Sequence, residues 1–230
     1  MAENKPPVDY SADNLPTTLP ILPLYDAALF PKMVLPLVVM QGESIKLVDE
    51  AMSRDRIIGL VVSAKKENAR PDSEEDLAGI GCSALILKMA KTEDNRAQML
   101  VQGLSRFRIK SYIKEKVYLQ AEVEHFDDIE HQDDESQALM ANVVKQFARI
   151  VELSPGLPAE IAQMANTIKE PGTLADMIAS TINATADEKQ RVLELQDATR
   201  RLKLVTKLVN HQLNILRSEE HTSELQSRQS

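Results

Sequence analysis

The 230-residue chain carries 35 acidic and 27 basic side chains, a formal net charge of −8, and 43% hydrophobic residues, enough for two domains that each bury a core. That charge argues against a general binder of nucleic acid or anionic membrane, and neither a signal-peptide core nor an apolar run of about eighteen residues is present. A single cysteine, Cys82, cannot form an internal disulfide, so a soluble cytoplasmic chain is expected, with Leu, Ile, Val and Met filling its cores.

Residues 1–14 are polar and proline-containing and read as a disordered lead-in. The most apolar stretch, Leu19 to Met40, is punctuated by Pro20, Pro23, Pro31 and Pro36. Proline has no N–H and biases its predecessor toward extended backbone, so Pro20 to Leu24 is expected as a strand at a sheet edge or strand start. Tyr25 to Lys32 is a loop closed by Phe30-Pro31, and Val34 to Met40 is a second strand, apolar on both faces and expected to be buried on both. Ile45, Val48 and Met52 fall at helical spacing. Arg56 to Ser63 and Ile80 to Met89 read as strands, separated by a charged loop over 64–75, and 97–102 pairs back on the latter as a hairpin. Gly103 is expected to break the ladder. Beyond it Arg106-Phe107-Arg108-Ile109-Lys110 alternates basic and apolar, which predicts cations outward and apolar side chains inward. Residues 117–123 complete six or seven strands and one helix, suggesting a small, partly closed β-barrel over 15–124.

An acidic linker, 125–132, follows, and the periodicity then changes to helical. Leu139, Val143, Phe147, Ile150 and Val151 share one helix face. Ile161, Met164, Ala165 and Ile168 mark a second helix. Thr173 is expected to cap a third, and Thr185 with Glu188 forms a capping box before a fourth. From Asp197 a long charged helix carries the stripe Leu202, Val205, Val209 and Leu216. The fold class is therefore α+β: a barrel-like β domain, then an α-helical bundle over 133–217 with a long exit helix.

The pattern LP-L-hydrophobic-FP-x-M-hydrophobic-P-L within 19–40, together with MLVQGLSRFRI (99–109), EPGTLADMIAS (170–180) and EKQRVLELQDATRRLKLVTKLVNHQLNILR (188–217), resembles the N-terminal region of the Lon family of ATP-dependent serine proteases. The resemblance runs from Leu19 to Arg217. It implies a PUA-like barrel and a role in recognising unfolded or damaged polypeptides. It also implies self-association, since full-length relatives are hexamers that degrade misfolded and regulatory proteins. A family protease also has an ATPase module and a Ser-Lys dyad. This sequence contains no G-x-x-x-x-G-K-[ST] and no serine in such a protease motif. No catalytic residue is therefore expected in it, and no cofactor in this fragment. ATP and Mg are implied only for an ATPase module beyond it.

Leu29, Phe30, Pro31 and Met33, with Met89 and Met99 nearby, are the expected polypeptide contact, because adaptable apolar side chains suit varied segments. The same residues could equally be core. Cys82 lies in an apolar strand with no basic neighbour to activate it and reads as a structural thiol. His125 and His131 among Asp127, Asp128, Asp133 and Asp134 fit neither zinc nor calcium spacing and read as a solvated linker, so no metal site is expected. Arg106, Arg108, Lys110, Lys114 and Lys116, with Phe107 and Tyr112 interleaved, carry the alternative of a stand-alone PUA-like RNA-binding or protein-interaction domain. Residues 217–227, RSEEHTSELQS, interrupt the apolar stripe and match the translation of a sequencing-library adapter, so 218–230 are expected to be a non-native, adapter-derived tail that packs against nothing.

Overall fold

The prolines of the apolar opening stretch decide how the first strands pair. In a computed structural model describing residues 10–40, 42–64, 76–92, 96–131 and 133–227, strand β1 (Thr18–Leu24) has a different neighbour along each half. Thr18 to Pro20 pair antiparallel with β6 (Gln120–Phe126), and Ile21 to Leu24 pair parallel with β3 (Ile57–Val62). Pro20 and Pro23 thus sit in a strand that needs a ladder on one side at a time. Among the described residues β2 (Val34–Val39) pairs only with β5 (Ala97–Ile113), at the end of the order β2-β5-β4-β3-β1-β6. β4 (Ile80–Lys91) lies between β5 and β3. A further pairing of β5 with β6 brings the sheet round on itself.

This first unit, Met1–Asp127, is closed by helix α1 (Glu43–Met52), which buries Ile45, Leu47, Val48 and Ala51 and contacts β1 and β3. β3 is buried at every position. A core around Phe107, Leu19, Ile21, Ile57, Val61, Ala121 and Val123 fills the rolled part of the sheet, and Tyr10, inside the expected lead-in, packs against it. The charged loop expected over 64–75 lies almost wholly outside the described residues, as do residues 1–9 of the lead-in.

Three expectations for this unit are corrected. β2 is not buried on both faces: exposed residues alternate with half-buried ones and, at its end, the buried Val39, because it has one neighbour among the described residues. Arg106 does not point to water but is buried. Gly103 does not end the strand, since β5 runs through it for 17 residues, but the ladder is irregular there: the pairing with β2 stops at Gln102 and the register against β4 shifts between Gly103 and Arg106. Glycine is needed there for a close approach: a Cβ on Gly103 would collide with the Phe30 carbonyl oxygen, well inside van der Waals contact. The Phe30-Pro31-Lys32-Met33 turn, with Lys32 at φ 65° and Met33 N–H donating to Phe30 O at 3.2 Å, is seated on that glycine. Lys32 N–H donates to Gly103 O (2.9 Å), and Gly103 N–H donates to Met33 O (2.8 Å).

The second unit, Asp128–Ser230, is helical: α2 (Asp134–Leu153), α3 (Glu160–Thr167), α4 (Pro171–Thr181), α5 (Ala186–Glu194) and α6 (Ala198–Ser227). α2 and α4 pack on α6, which buries Leu202, Val205, Val209 and, unforeseen in the stripe, Leu213. Asp133 caps α2, accepting Ser136 N–H at 2.8 Å, and the Thr185–Glu188 capping box is formed with both of its hydrogen bonds. Thr173 does not cap α4. That helix starts earlier, with Pro171 in its first turn, where proline costs no hydrogen bond. α6 continues past Arg217 to Ser227, within the expected tail, and Ser218 Oγ donates to Asn214 O at 2.9 Å.

Charge is buried at the start of α6. Arg201 is wholly buried and donates through both terminal nitrogens to Asp128, at 2.7 and 2.6 Å, and to Leu195 O. Asp176 of α4 stands 3.4 Å from Nη1, one of the two nitrogens that reach Asp128. Glu130 accepts the Gly172 N–H at 3.2 Å, and burial, then the Asp128 charge, pushes its carboxyl up from the usual range. A Cβ on Gly172 would meet the Glu130 and Asp128 carboxylates, at 2.5 and 2.6 Å. The acidic stretch is therefore not a solvated tether throughout, because Asp128 and Glu130 are built into the bundle.

Three measurements test these packing arguments. Gly103→Ala is expected to lower unfolding stability by about 1–3 kcal/mol, as overpacking against backbone does, whereas Gly79→Ala, with open space around it, stays near neutral. Arg201→Met is expected to cost about 3–5 kcal/mol in urea unfolding, since it leaves a buried carboxylate uncompensated. His125, with Nε2 3.0 Å from Pro16 O, has its pKa lowered by burial. Stability should then be full above the ordinary histidine pKa and fall as the pH drops through the lowered one, because the unfolded chain binds that proton more readily. His125→Gln should flatten this acid limb in denaturation curves taken across the histidine range.

Candidate functional site

The residues expected to contact polypeptide are brought close to one another, but not all to the surface. Leu29, Phe30 and Met99 are buried. Pro31, Met33 and Met89 are half-buried. The loop is core on one side, with Phe30 wholly enclosed beside the Gly103 seat. Met89 and Met99 are cross-strand partners in β4 and β5.

The surface that the loop supports is apolar. Alternation along β2 and β5 puts Leu37, Val39, Met99 and Val101 on one face, the side on which Lys91 reaches Asp49 of α1 at 2.8 Å. The opposite face presents Val34, Pro36 and Val38 of β2 beside Gln102, Leu100 and Gln98 of β5. Val34 is 51% exposed, Val38 56% and Met40, just past the strand, 45%. On β4, Lys88 pairs with Leu100, and a register shift between Ile86 and Lys88 leaves Leu87 38% exposed. Leu85 and Leu104, partly buried, join this face to the core around Phe107. Val34, Val38 and Leu87 were missed at the sequence level. The signal was the alternation of β2, which an apolar residue at every position conceals.

The side chains of this face are aliphatic, amide and ammonium, and they can bury apolar surface and hydrogen-bond an extended chain. Elsewhere in the unit, Glu50 of α1 accepts from Tyr118 Oη (2.6 Å) and Lys116 Nζ (3.0 Å) and pairs with Arg54. Those hydrogen bonds hold the Glu50 carboxyl below its usual range, and burial followed by that carboxylate pushes the Tyr118 hydroxyl up to about 12. This cluster ties α1 to the segment before β6.

The basic strand does not form a cationic stripe. Arg106 is buried, Arg108 lies over the Phe126 ring at 5.5 Å, and Lys110 stands 3.8 Å from Glu124. Cys82 is buried. Among the described residues no three His, Cys, Asp or Glu side chains converge as a metal site, and His131 instead faces Asp197 at 3.4 Å. No described helix is long and apolar enough to cross a membrane.

A family profile described as the ATP-dependent protease La (LON) substrate-binding domain matches residues 18–211. A Lon protease of Desulfosudis oleivorans is 45% identical over 221 residues, covering 94% of this chain and 27% of that protein. One of Syntrophus aciditrophicus is 48% identical over 205 residues, 88% of this chain and 26% of that protein. The chain thus spans about a quarter of the length of these relatives. The fold is similar to that of the N-terminal domain of the Mycobacterium avium complex Lon protease, with a TM-score of 0.68, 23% identity, and coverage of 84% of this chain and 98% of that one.

Proposed function

Because the chain belongs to the family of Lon (ATP-dependent protease La) substrate-binding domains, we propose that it recognises substrate for an ATP-dependent protease, taking apolar segments of unfolded or damaged polypeptides. The observation that carries this reading is the solvent-open face of β2, β5 and β4, where Val34, Val38, Met40 and Leu87 stand exposed. Well-folded chains bury such side chains, while unfolded and damaged ones expose them, so an apolar face selects by folding state. Leu29, Phe30 and Met99 act in this reading by supporting the face, Pro31 and Met33 form its border, and Met89, the cross-strand partner of Met99, lies on the other side of the sheet.

Hydrolysis of ATP, with its Mg, and cleavage of the peptide bond are assigned in this proposal to the other three quarters of a full-length protease. Assembly into a hexamer and a cytoplasmic location are part of the same proposal and rest on the likeness to Lon proteases. The RNA-binding alternative loses Arg106, which is buried, and its Lys110 and Lys116 face Glu124 and Glu50.

The purified chain should bind a permanently unfolded protein, such as reduced carboxymethylated lactalbumin, without hydrolysing ATP or cleaving peptide. Replacing Val34 and Val38 together by Ser should weaken that binding about tenfold, since each methyl-sized group removed from a buried apolar interface forfeits roughly 0.8 kcal/mol. Both side chains are more than half exposed, so the urea midpoint should hardly move. Undiminished binding by the double variant would sink the assignment of this face.

A further inference from the structure

The three strands that build the open face contain no Asp or Glu, although the chain as a whole has 35 acids to 27 bases. Their cations are Lys88, Lys91, Arg106, Arg108 and Lys110. Four of these five are engaged or hidden. Lys91 is paired with Asp49 and Lys110 with Glu124, Arg106 is buried, and Arg108 lies on Phe126. Lys88 differs: it is exposed, lies on the open face as the cross-strand partner of Leu100, and has no carboxylate partner among the described residues. Leu100 is in turn the partner of Pro36, so the ammonium is carried across the sheet from the free strand, beside Leu87.

An ammonium in that position biases what can cover the face. A lysine or arginine laid against it is repelled while both shed water. A carboxylate restores the forfeited solvation with a charge-assisted hydrogen bond. We infer that the occupant of this face is an extended apolar polypeptide segment bearing a carboxylate, and that Lys88 is the residue that selects for it. This rests on the reading that the face binds polypeptide, and it adds the charge class of the segment.

The test uses the whole chain and three fluorescein-labelled peptides of one apolar sequence, differing only in Asp, Asn or Lys at a central position, with affinity read by anisotropy. The Asp peptide is expected to bind tightest and the Lys peptide weakest, with about three- to tenfold between them at low salt, the scale of an exposed charge pair gained against one opposed. The gap should narrow as salt is raised. Lys88→Gln should erase the order, and Lys88→Glu should invert it. Equal affinity for all three peptides, or an order that Lys88→Glu leaves intact, overturns the inference while the apolar reading stands, provided that Val34→Ser with Val38→Ser still weakens all three. Failure of every peptide to bind the wild-type chain overturns both.

Discussion

A carbonyl oxygen seated against a Cα, with no room for a methyl group between them, governs the first unit. Phe30 O approaches Gly103 so closely that only glycine fits, and two backbone hydrogen bonds lock the turn in place. From that seat the chain enters β2 in one register, Val34 opposite Gln102. A slip by one residue would exchange the half-buried Leu35 and Leu37 with the exposed Val34 and Val38. The seat therefore determines which side chains meet water, and with them the character of the candidate site. Burying Phe30 supplies the driving force. Its full enclosure is worth roughly 1.5–3 kcal/mol relative to exposure, enough to hold a turn that places Lys32 in left-handed backbone.

The second unit depends on buried charge in a similar way. A guanidinium removed from water costs several kcal/mol, and Arg201 offsets that cost with a two-pronged Asp128 contact, the Leu195 carbonyl and the nearby Asp176. Because these partners come from the segment before α2, from α4 and from the turn before α6, one side chain fixes three parts of the bundle. Apolar packing along Leu202, Val205 and Val209 supplies the stability, and the charged cluster supplies the alignment.

Much of the fold was legible in the residues. The change of periodicity after residue 124, the capping box at Thr185 and the stripe at Leu202, Val205 and Val209 were all readable, because each depends on local spacing. What was not legible depended on partners far away in sequence. The seat that Gly103 provides was not visible because its partner, Phe30, is 73 residues earlier. Arg106 looked solvent-facing because alternation along one strand does not reveal what packs across it, and the side chain is buried. The site residues were found in the right neighbourhood but partly at the wrong depth. Strand β2 is apolar at every position, so its sequence contains no mark of which face is open. Asp128 and Glu130 were hidden by composition, since an acidic run reads the same whether its members are solvated or bonded to a buried arginine.

An apolar face left open to water endangers the molecule that carries it, because β2 is also, among the described residues, an edge of the sheet on which another chain could add a strand and start a growing aggregate. Pro36, midway along that edge, bears on the danger. Lacking an N–H, it interrupts any ladder an incoming strand could build, leaving runs of two or three residues on either side. Stickiness of the face is thereby separated from stickiness of the edge. The surface can be wetted by passing apolar segments through their side chains, without offering a backbone template that would make the encounter permanent.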